Sequence, residues 1–322
     1  MRKACLLAVH ELARRDDRVV FIGSDITKQN LEAFAAEYPE RFFMEGIYEG
    51  HIVGMAAGLA LAGKIPYINT IATFLTRRCF EQIVVDLCLH GLPVRLLGSG
   101  GGTVYAPLGP THLAIEDIAI LRAIPNMTVV APCDADEMRR LMDRTLDWPG
   151  PIYVRIAKGG ERIVSSDERP FEIGRAIALR EGGKVLLVST GITTQIALDA
   201  ADILAGSGLP ATVLHVHTVK PLDHDRLLWH ASRAIAVLTI EEHTLSGGLG
   251  SAVAETLMDA GRGGIQFARL GFPDVFTDEL GSQADIMAAH GLTADNLARR
   301  AFELVDATAG GQREGVGEWA SS

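Results

Sequence analysis

The sequence has few of the features that mark secreted, membrane-spanning or nucleic-acid-binding proteins. Its 322 residues include only four cysteines, scattered without a CxxC pair, so neither a disulfide framework nor a zinc site is indicated. The formal net charge is -10 and no dense Lys/Arg run is present, which leaves no basic footprint for nucleic acid. No apolar run reaches the roughly 18 residues of a membrane-spanning helix. Segment 1–17 has the spacing of an amphipathic helix and does not resemble a secretory signal. These absences favour a soluble protein of a reducing compartment, and we expect a cytoplasmic location.

Short apolar runs alternate with amphipathic helical stretches along most of the chain. The candidate strands are RVVFIGS, IPYINT, LPVRLLGS, MTVVAP and PIYVRIA in the first half, and VLLVST, ATVLHVH, AIAVLTIE and IQFARLGF in the second. Apolar strands that alternate with helices indicate parallel sheets covered on both faces. The sequence therefore predicts an α/β protein of two tandem domains with mainly parallel sheets. The expected boundaries are 1–165 and 174–306, with a linker at 166–173 and a disordered tail at 307–322.

One apolar stretch carries an isolated acid. GIYEGHIVGMAAGLALAG, residues 46–63, reads as a helix of small and apolar residues that begins at Glu49. A carboxylate in such a segment is costly unless something compensates it. Two interpretations are open: Glu49 stabilises the helix N-terminus through the macrodipole, or it is held there for chemistry.

Glycine-rich loops follow several of the candidate strands. GSGGGTVYAPLGPTH, residues 98–112, is long and ends in His112, and ligands of open α/β sheets bind at loops of this kind. Neither GSGGG nor SGGLGSA has the spacing and flanking elements of a dinucleotide site. The remaining histidines, including His215, His217 and His243, show no spacing that predicts a metal site, and EEH at 241–243 looks architectural.

The segments RKA, GSD, GIYEGHIVGMAAGLA, ATFLTRRCFEQI, GPTHLAIEDIAILRAIPNMTVVAP, TVKPLD and EEHTLSGGLGSAV occur in this order. Together they resemble the C-terminal half of transketolase, and more closely the separately encoded C-terminal subunits of split transketolases. The resemblance covers roughly residues 1–306. It implies a pyrimidine-binding domain followed by the transketolase C-terminal domain, in an enzyme that uses thiamine diphosphate and a divalent metal.

The resemblance implies a chemical role for Glu49. In the family the matching glutamate contacts N1′ of the cofactor's aminopyrimidine ring and shares a proton there. This favours the imino tautomer, whose 4′-nitrogen removes the proton from C2 of the thiazolium, while the cofactor supplies the carbanion chemistry. Apolar surroundings favour the neutral, proton-sharing form of such a carboxyl.

Further roles follow from the same resemblance. Phe74 matches the aromatic residue that stacks on the pyrimidine ring, and Ile71 replaces an aromatic beside it. Asp25 matches an acid near the thiazolium side. His112 matches a histidine that hydrogen-bonds substrate oxygens beside C2. Arg155 matches an arginine that grips a sugar phosphate.

Other positions depart from the family pattern or match it less distinctly. Arg2 is a second candidate for the sugar phosphate. Gly100 stands where transketolases have a histidine that contacts the donor, and Leu108 where an aspartate reads the acceptor's 2-hydroxyl. Gln29 replaces a serine that helps bind phosphate. An apolar wall does not discriminate hydroxyl groups as a built hydrogen bond does, so we expect ketol transfer with a deoxy, branched or otherwise modified sugar.

The chain also lacks the GDG motif that holds the metal and the diphosphate in full-length transketolases. The resemblance therefore implies a separately encoded diphosphate-binding partner that carries Mg²⁺ or Ca²⁺, in an α2β2 heterotetramer, with segment 46–63 largely at the interface. Two other interpretations stay open. One is the beta subunit of a 2-oxo acid dehydrogenase or a relative of deoxyxylulose-phosphate synthase. The other is a non-catalytic scaffold subunit.

Overall fold

The fold contains two sheets, each flanked by helices. The structure is a computed structural model that describes residues 1–24, 30–277 and 279–314, with the backbone alone for 309–314. The strands are β1 Val19–Gly23, β2 Phe42–Met44, β3 Ile65–Ile71, β4 Arg95–Ser99, β5 Thr128–Val130, β6 Ile152–Ile156, β7 Ile177–Arg180, β8 Val185–Ser189, β9 Ala211–His215, β10 Thr218–Lys220, β11 Ala236–Thr244 and β12 Gln266–Phe272.

The helices cover both faces of these sheets. They are α1 Arg2–Arg15, α2 Glu32–Glu37, α3 Glu49–Leu61, α4 Ala72–Arg77, α5 Phe80–Gln82, α6 Asp117–Arg122, α7 Ala135–Thr145, α8 Thr193–Gly206, α9 His224–Ala231, α10 Leu249–Asp259, α11 Gln283–Ala289 and α12 Ala294–Glu314. Short 3₁₀ turns lie at Pro39–Arg41, Ala106–Leu108 and Pro110–His112, and α5 continues as a π-helical turn over Ile83–Cys88. None of the described helices is both long and apolar enough to cross a membrane.

The first sheet has the strand order β10-β5-β6-β4-β3-β1-β2, and all its neighbours are parallel except β10 and β5. Every residue of β1, β4 and β6 is buried, because helices cover the sheet on both sides. This explains why these strands are mainly apolar and do not alternate between apolar and exposed polar residues. One core lies under α3 and includes Ile52, Val53 and Ile68, while the other lies under α1 and α7.

The second sheet has the order β12-β11-β8-β9-β7, and only β7 runs antiparallel to its neighbour. Strand β10 follows β9 in the chain but leaves this sheet and pairs with β5 of the first one, where Thr218 lies opposite Val130. The second half of the chain therefore adds an edge strand to the first sheet, which ties the two halves together through backbone hydrogen bonds.

The predicted class, two tandem α/β domains with mainly parallel sheets, is confirmed, and each of the nine candidate strands is present. Strands β2, β7 and β10 were not predicted, because they are only three or four residues long and weakly patterned. Helix α12 continues to Glu314, into the segment expected to be a tail, while the domain, linker and tail bounds stay predictions. Extending an existing helix adds a hydrogen bond for each residue that is ordered, so composition alone does not stop it.

Candidate active site

The candidate site lies where the carboxyl ends of several parallel strands meet. Strands β1, β3, β4 and β6 are neighbours in the first sheet and point the same way, so the loops that follow them lie along one edge. The loop after β1 includes residues 25–29, which are not described. Phe74 lies on α4, which follows β3 directly, His112 lies in the loop after β4, and α3 begins beside them.

Glu49 is the first residue of α3 and is buried, with 3% of its surface exposed. Its Oε1 accepts a long hydrogen bond of 3.4 Å from the Thr70 hydroxyl at the end of β3. Its Oε2 lies 3.2 Å from Nη1 of Arg78, whose side chain is 50% exposed. Both contacts are at the weak end of the range for a carboxylate, so Glu49 is a buried acid whose oxygens are incompletely satisfied.

An arginine and two rings continue from Glu49 toward the surface. The Arg78 guanidinium lies over the Phe74 ring at 3.9 Å from its centroid. The His112 ring meets the same phenylalanine edge-on, with centroids 5.1 Å apart. Phe74 and His112 are both half-buried, and the His112 Nδ1 lies 2.9 Å from the Thr111 hydroxyl. The structure thus brings Glu49, Phe74 and His112 into one chain of contacts.

The glycine-rich loop after β4 serves close packing. Gly100 has a φ of +79°, and a Cβ there would lie 2.1 Å from a ring carbon of Tyr105. A Cβ on Gly101 would lie 2.4 Å from Cγ of Arg155. The side chains of the protein itself therefore occupy the space beside these glycines, so the loop does not form a phosphate cradle of the dinucleotide type.

Arg155, which is predicted to grip a sugar phosphate, contacts groups of the protein itself. It is buried on β6, and its Nε donates to Asp117 at 2.9 Å. Its Nη2 donates to the carbonyl oxygens of Ala114 and Glu242, each at 2.8 Å. Burial alone would lower the pKa of Arg155, but the Asp117 and Glu242 carboxylates raise it above its ordinary value. In this structure Arg155 is an internal tie whose donors face protein acceptors, and its role at a sugar phosphate stays a prediction.

The other predicted positions are distributed as follows. Ile71 is half-buried at the end of β3, three residues before Phe74, and Leu108 is 56% exposed. Arg2 is half-buried at the start of α1. Asp25 and Gln29 lie outside the described residues, so their roles stay predictions.

The EEH stretch, residues 241–243, is architectural, as its sequence indicates. Both Glu241 oxygens accept backbone N–H groups at the start of α10, from Leu249 and Gly250, each at 2.7 Å. The helix N-terminus in SGGLGSA is therefore already occupied by a carboxylate of this chain. The Glu242 Oε1 accepts the backbone N–H of Thr103 at 2.8 Å and ties the glycine loop to the second half.

A cavity of about 660 Å³ lies beside the group formed by Glu49, Phe74 and His112. Arg77 and Leu113, the sequence neighbours of Arg78 and His112, line it from the first half. Thr244 and the exposed Phe276 line it from the second. Sequence reasoning did not identify this cavity, because its walls come from segments more than a hundred residues apart.

Two residues of the site were missed from the sequence, Thr70 and Arg78. Arg78 follows Phe74 by four positions in a helical stretch, and this spacing places two side chains on the same face. That spacing was the available signal for the cation–π contact. Nothing local marked Thr70, because only strand pairing and the position of α3 bring its hydroxyl to Glu49.

Two tandem α/β domains define the class, and the first has a buried carboxylate at the start of an apolar helix, beside an aromatic ring and a histidine. This is the organisation of a thiamine-enzyme subunit with a pyrimidine-binding domain. Residues 1–161 match the transketolase pyrimidine binding domain, and residues 174–297 match the transketolase C-terminal domain. The chain belongs to the transketolase family, as a homologue of the subunits of split transketolases.

Three relatives illustrate this membership. The chain is 37% identical over 297 residues to the 6-deoxy-6-sulfo-D-fructose transketolase subunit SqwH of Clostridium sp. (strain MSTE9), covering 92% of this chain and 91% of that protein. It is 40% identical over 291 residues to 1-deoxy-D-xylulose-5-phosphate synthase 1 of Geobacter sulfurreducens (strain ATCC 51573 / DSM 12127 / PCA), covering 89% of this chain and 45% of the synthase. The chain therefore spans about half the length of that synthase. A solved structure described as a split gene transketolase, inactive beta4 tetramer, is similar with a TM-score of 0.86 and 37% identity, covering 94% of this chain and 98% of that one.

Proposed function

We propose that this chain is the C-terminal (beta) subunit of a thiamine-diphosphate-dependent transketolase that moves a two-carbon ketol unit from a ketose to an aldose. The observation that carries the proposal is the group formed by Glu49, Phe74 and His112. The carboxyl of Glu49 is buried, yet its described partners are one hydroxyl at 3.4 Å and one half-exposed arginine. A carboxyl that is kept in an apolar wall with so few partners suits a proton-sharing contact with a ligand.

The residues present fit the aminopyrimidine end of the cofactor. Glu49 would hold the ring nitrogen N1′ and share its proton, and Phe74 would stack on the ring. When bound, the cofactor supplies the carbanion that accepts the ketol unit. In this structure Arg78 occupies these positions itself, because its guanidinium contacts both the Glu49 carboxylate and one face of the Phe74 ring. A ring that bound to that face of Phe74 would have to displace Arg78.

His112 is the substrate-facing member of the group. Its ring is half-buried and contacts Phe74 edge-on, and an imidazole both donates and accepts hydrogen bonds near neutral pH. We infer that it hydrogen-bonds oxygens of the ketol unit next to the pyrimidine site. The matched family role of Asp25, near the thiazolium, belongs to the same proposal.

A separately encoded partner would complete the site. The 322 residues contain no GDG motif, and two of the relatives are named as a transketolase subunit and a split gene transketolase. We infer that the partner holds the diphosphate and Mg²⁺ or Ca²⁺ in an α2β2 assembly. One side of α3 packs in the core, while Ile47, Tyr48 and Leu61 expose 68%, 67% and 71% of their surfaces. Such apolar exposure at both ends of the site helix is typical of an interface. The chain's four cysteines are free and buried, which agrees with the cytoplasmic location that we propose.

The substrate would be a sugar that differs from the ordinary pentose-phosphate pair. Gly100 packs under Tyr105 with no side chain to offer a donor substrate, and Leu108 presents an exposed apolar surface. The SqwH relative is named for a 6-deoxy-6-sulfo sugar, a modified substrate of the kind expected here. Arg2 and Gln29 are the remaining candidates for binding the sugar's anionic end. Arg155 would have to leave its internal acceptors before it could bind the same group.

The second candidate function is a decarboxylating activity like that of deoxyxylulose-phosphate synthase, since one such synthase is 40% identical to this chain over 89% of its length. That activity would release carbon dioxide from pyruvate, whereas a transketolase would not. A carbon dioxide assay with pyruvate and the assembled complex therefore separates the two functions.

The proposal is tested by deuterium exchange at C2 of thiamine diphosphate with Mg²⁺, followed by NMR. The chain is measured alone and then mixed with its diphosphate-binding partner. We expect acceleration only in the mixture, and at least a hundredfold loss in Glu49→Gln, because proton sharing contributes about 10²–10⁴ in such reactions. The matched control is Glu45→Gln. Glu45 is a half-buried acid that precedes the same helix, and its Oε2 lies 3.5 Å from Nε2 of His51.

Either of two results would overturn the proposal. One is equal exchange by the Glu49→Gln complex and the wild-type complex. The other is no acceleration by a mixture that sedimentation shows to be assembled, which would favour a scaffold subunit.

A further inference from the structure

Three potential metal ligands meet at the junction between the two halves of the chain. Cys133 lies in the loop after β5, Glu137 lies one turn later on α7, and His215 ends β9. All three are fully buried, and one ligand atom from each lies within 4.8 Å of the other two. His215 Nε2 is 2.8 Å from Glu137 Oε2, which also accepts the backbone N–H of Cys133 at 2.7 Å.

The internal hydrogen bonds do not satisfy this cluster. Oε1 of Glu137 is buried and has no hydrogen-bond partner among the described residues. The same holds for Nε2 of His217, whose ring lies 5.7 Å from the His215 ring. Buried polar atoms nearly always have a partner, so an orphaned carboxylate oxygen in the cluster, with a second orphaned atom on a neighbouring ring, points to a missing ligand.

The surroundings orient the cluster as metal sites usually do. The second nitrogen of His215, Nδ1, lies 2.8 Å from the Thr194 hydroxyl, which fixes the ring and turns Nε2 toward Glu137. An outer partner of this kind is the rule for metal-binding histidines. Asp134, next to Cys133, accepts the backbone N–H groups of Val164 and Ser165 at 2.8 Å each, so a segment between the halves is tied down beside the cluster.

We propose that Cys133, Glu137 and His215 bind a transition-metal ion, with Zn²⁺ as the best match, that joins the two halves of the chain. One thiolate sulfur, one imidazole nitrogen and one carboxylate oxygen form a ligand set of the kind that Zn²⁺ takes in tetrahedral sites. His217 lies outside this three-ligand group, with its ring 5.7 Å from the His215 ring. Glu137 comes from the first half and His215 from the second, 78 positions apart, so the ion would stabilise the junction where β10 joins the first sheet.

The test uses the full chain and the metals alone. The protein is unfolded in chelator, refolded with one equivalent of Co²⁺ or Zn²⁺, freed of unbound ion, and analysed for metal content and for a thiolate-to-cobalt absorption band. We expect about one ion per chain in the wild type. We expect at least tenfold less in Cys133→Ser and in His215→Gln, with loss of the cobalt band.

The matched control is Cys88→Ser, because Cys88 is also buried but lies in the π-helical turn, outside the cluster. Circular dichroism checks that each variant refolds. If Cys133→Ser does not refold, Glu137→Gln replaces it as the ligand variant. A refolded wild type without stoichiometric metal would overturn the proposal, and so would equal metal content in the wild type and the ligand variants.

Discussion

The ion pair between Glu49 and Arg78 leads to a prediction about the stability of the chain. Arg78→Ala removes the only described cation in contact with the Glu49 carboxylate, and it also removes the stack on Phe74. Glu49 is left buried with one hydroxyl donor at 3.4 Å. We therefore expect Arg78→Ala to lower the free energy of unfolding, and to do so mainly through Glu49.

The magnitude follows from the burial of the two partners. Removing one member of a fully buried pair costs about 3–5 kcal/mol, whereas an exposed pair is worth about 0.2–1 kcal/mol. Here one partner is 3% exposed and the other 50%, so the expected value lies between these limits, at roughly 1–2 kcal/mol. The cation–π contact with Phe74 adds about 0.5–1 kcal/mol. Arg78→Ala should therefore cost about 2 kcal/mol in total.

A double-mutant cycle isolates the Glu49 contribution. Unfolding by urea is measured for the wild type, Arg78→Ala, Glu49→Gln and the double variant. In the Glu49→Gln background only the cation–π contact is lost, so Arg78→Ala should cost about 1 kcal/mol or less. The coupling energy should be roughly 1–2 kcal/mol.

Arg77→Ala is the matched control. Arg77 precedes Arg78 in the chain and pairs with Glu116 near the surface, away from Glu49. It should show less than about 1 kcal/mol of destabilisation and no coupling to Glu49→Gln. Equal costs of Arg78→Ala in both backgrounds would refute the reasoning, because Glu49 would then gain nothing from the arginine.

Two further predictions concern buried groups outside the Glu49 group. Arg155→Lys should lower the free energy of unfolding in urea by about 3 kcal/mol, because an ammonium cannot reproduce the hydrogen bonds of the guanidinium to Asp117 and two carbonyls. Unchanged stability with weaker sugar-phosphate binding would contradict this structural role and would support the predicted one. Burial raises the pKa of the Cys5 thiol to about 12. The contribution of the neutral thiol to the free energy of unfolding is therefore fully present below the ordinary thiol pKa of about 9. It is lost by about 1.4 kcal/mol per pH unit as the pH rises from about 9 to 12. Cys5→Ser should lose this contribution, and an identical alkaline profile in that variant would contradict the assignment.

Strand positions were readable from the sequence wherever a strand is buried on both faces. VVFIG, RLLGS and IYVRI are buried at every position because helices cover both sides of the sheet, and they are therefore mainly apolar and do not alternate with exposed polar residues. By contrast, every residue of β2 is half-buried, and β10 is a three-residue strand that pairs with β5 at the edge of the first sheet. Such strands depend on pairing with distant residues, which leaves little local signal.

Site residues divide in the same way. Glu49, Phe74 and His112 stand in recognisable stretches, and the sequence alone identified them as candidates for one site. Only the tertiary structure showed that Arg78 links the first two.

Arg155 and the Cys133–His215 cluster were decided wholly by the fold. The sequence determined that Arg155 lies at the end of an apolar strand, but the packing of Asp117 and Glu242 around it determined that its charge is used internally. Cys133 and His215 belong to different halves of the chain, and only the crossover of β10 to the first sheet brings those halves together. Local patterns report burial and helix or strand periodicity, whereas contacts between distant residues depend on how complete elements pack.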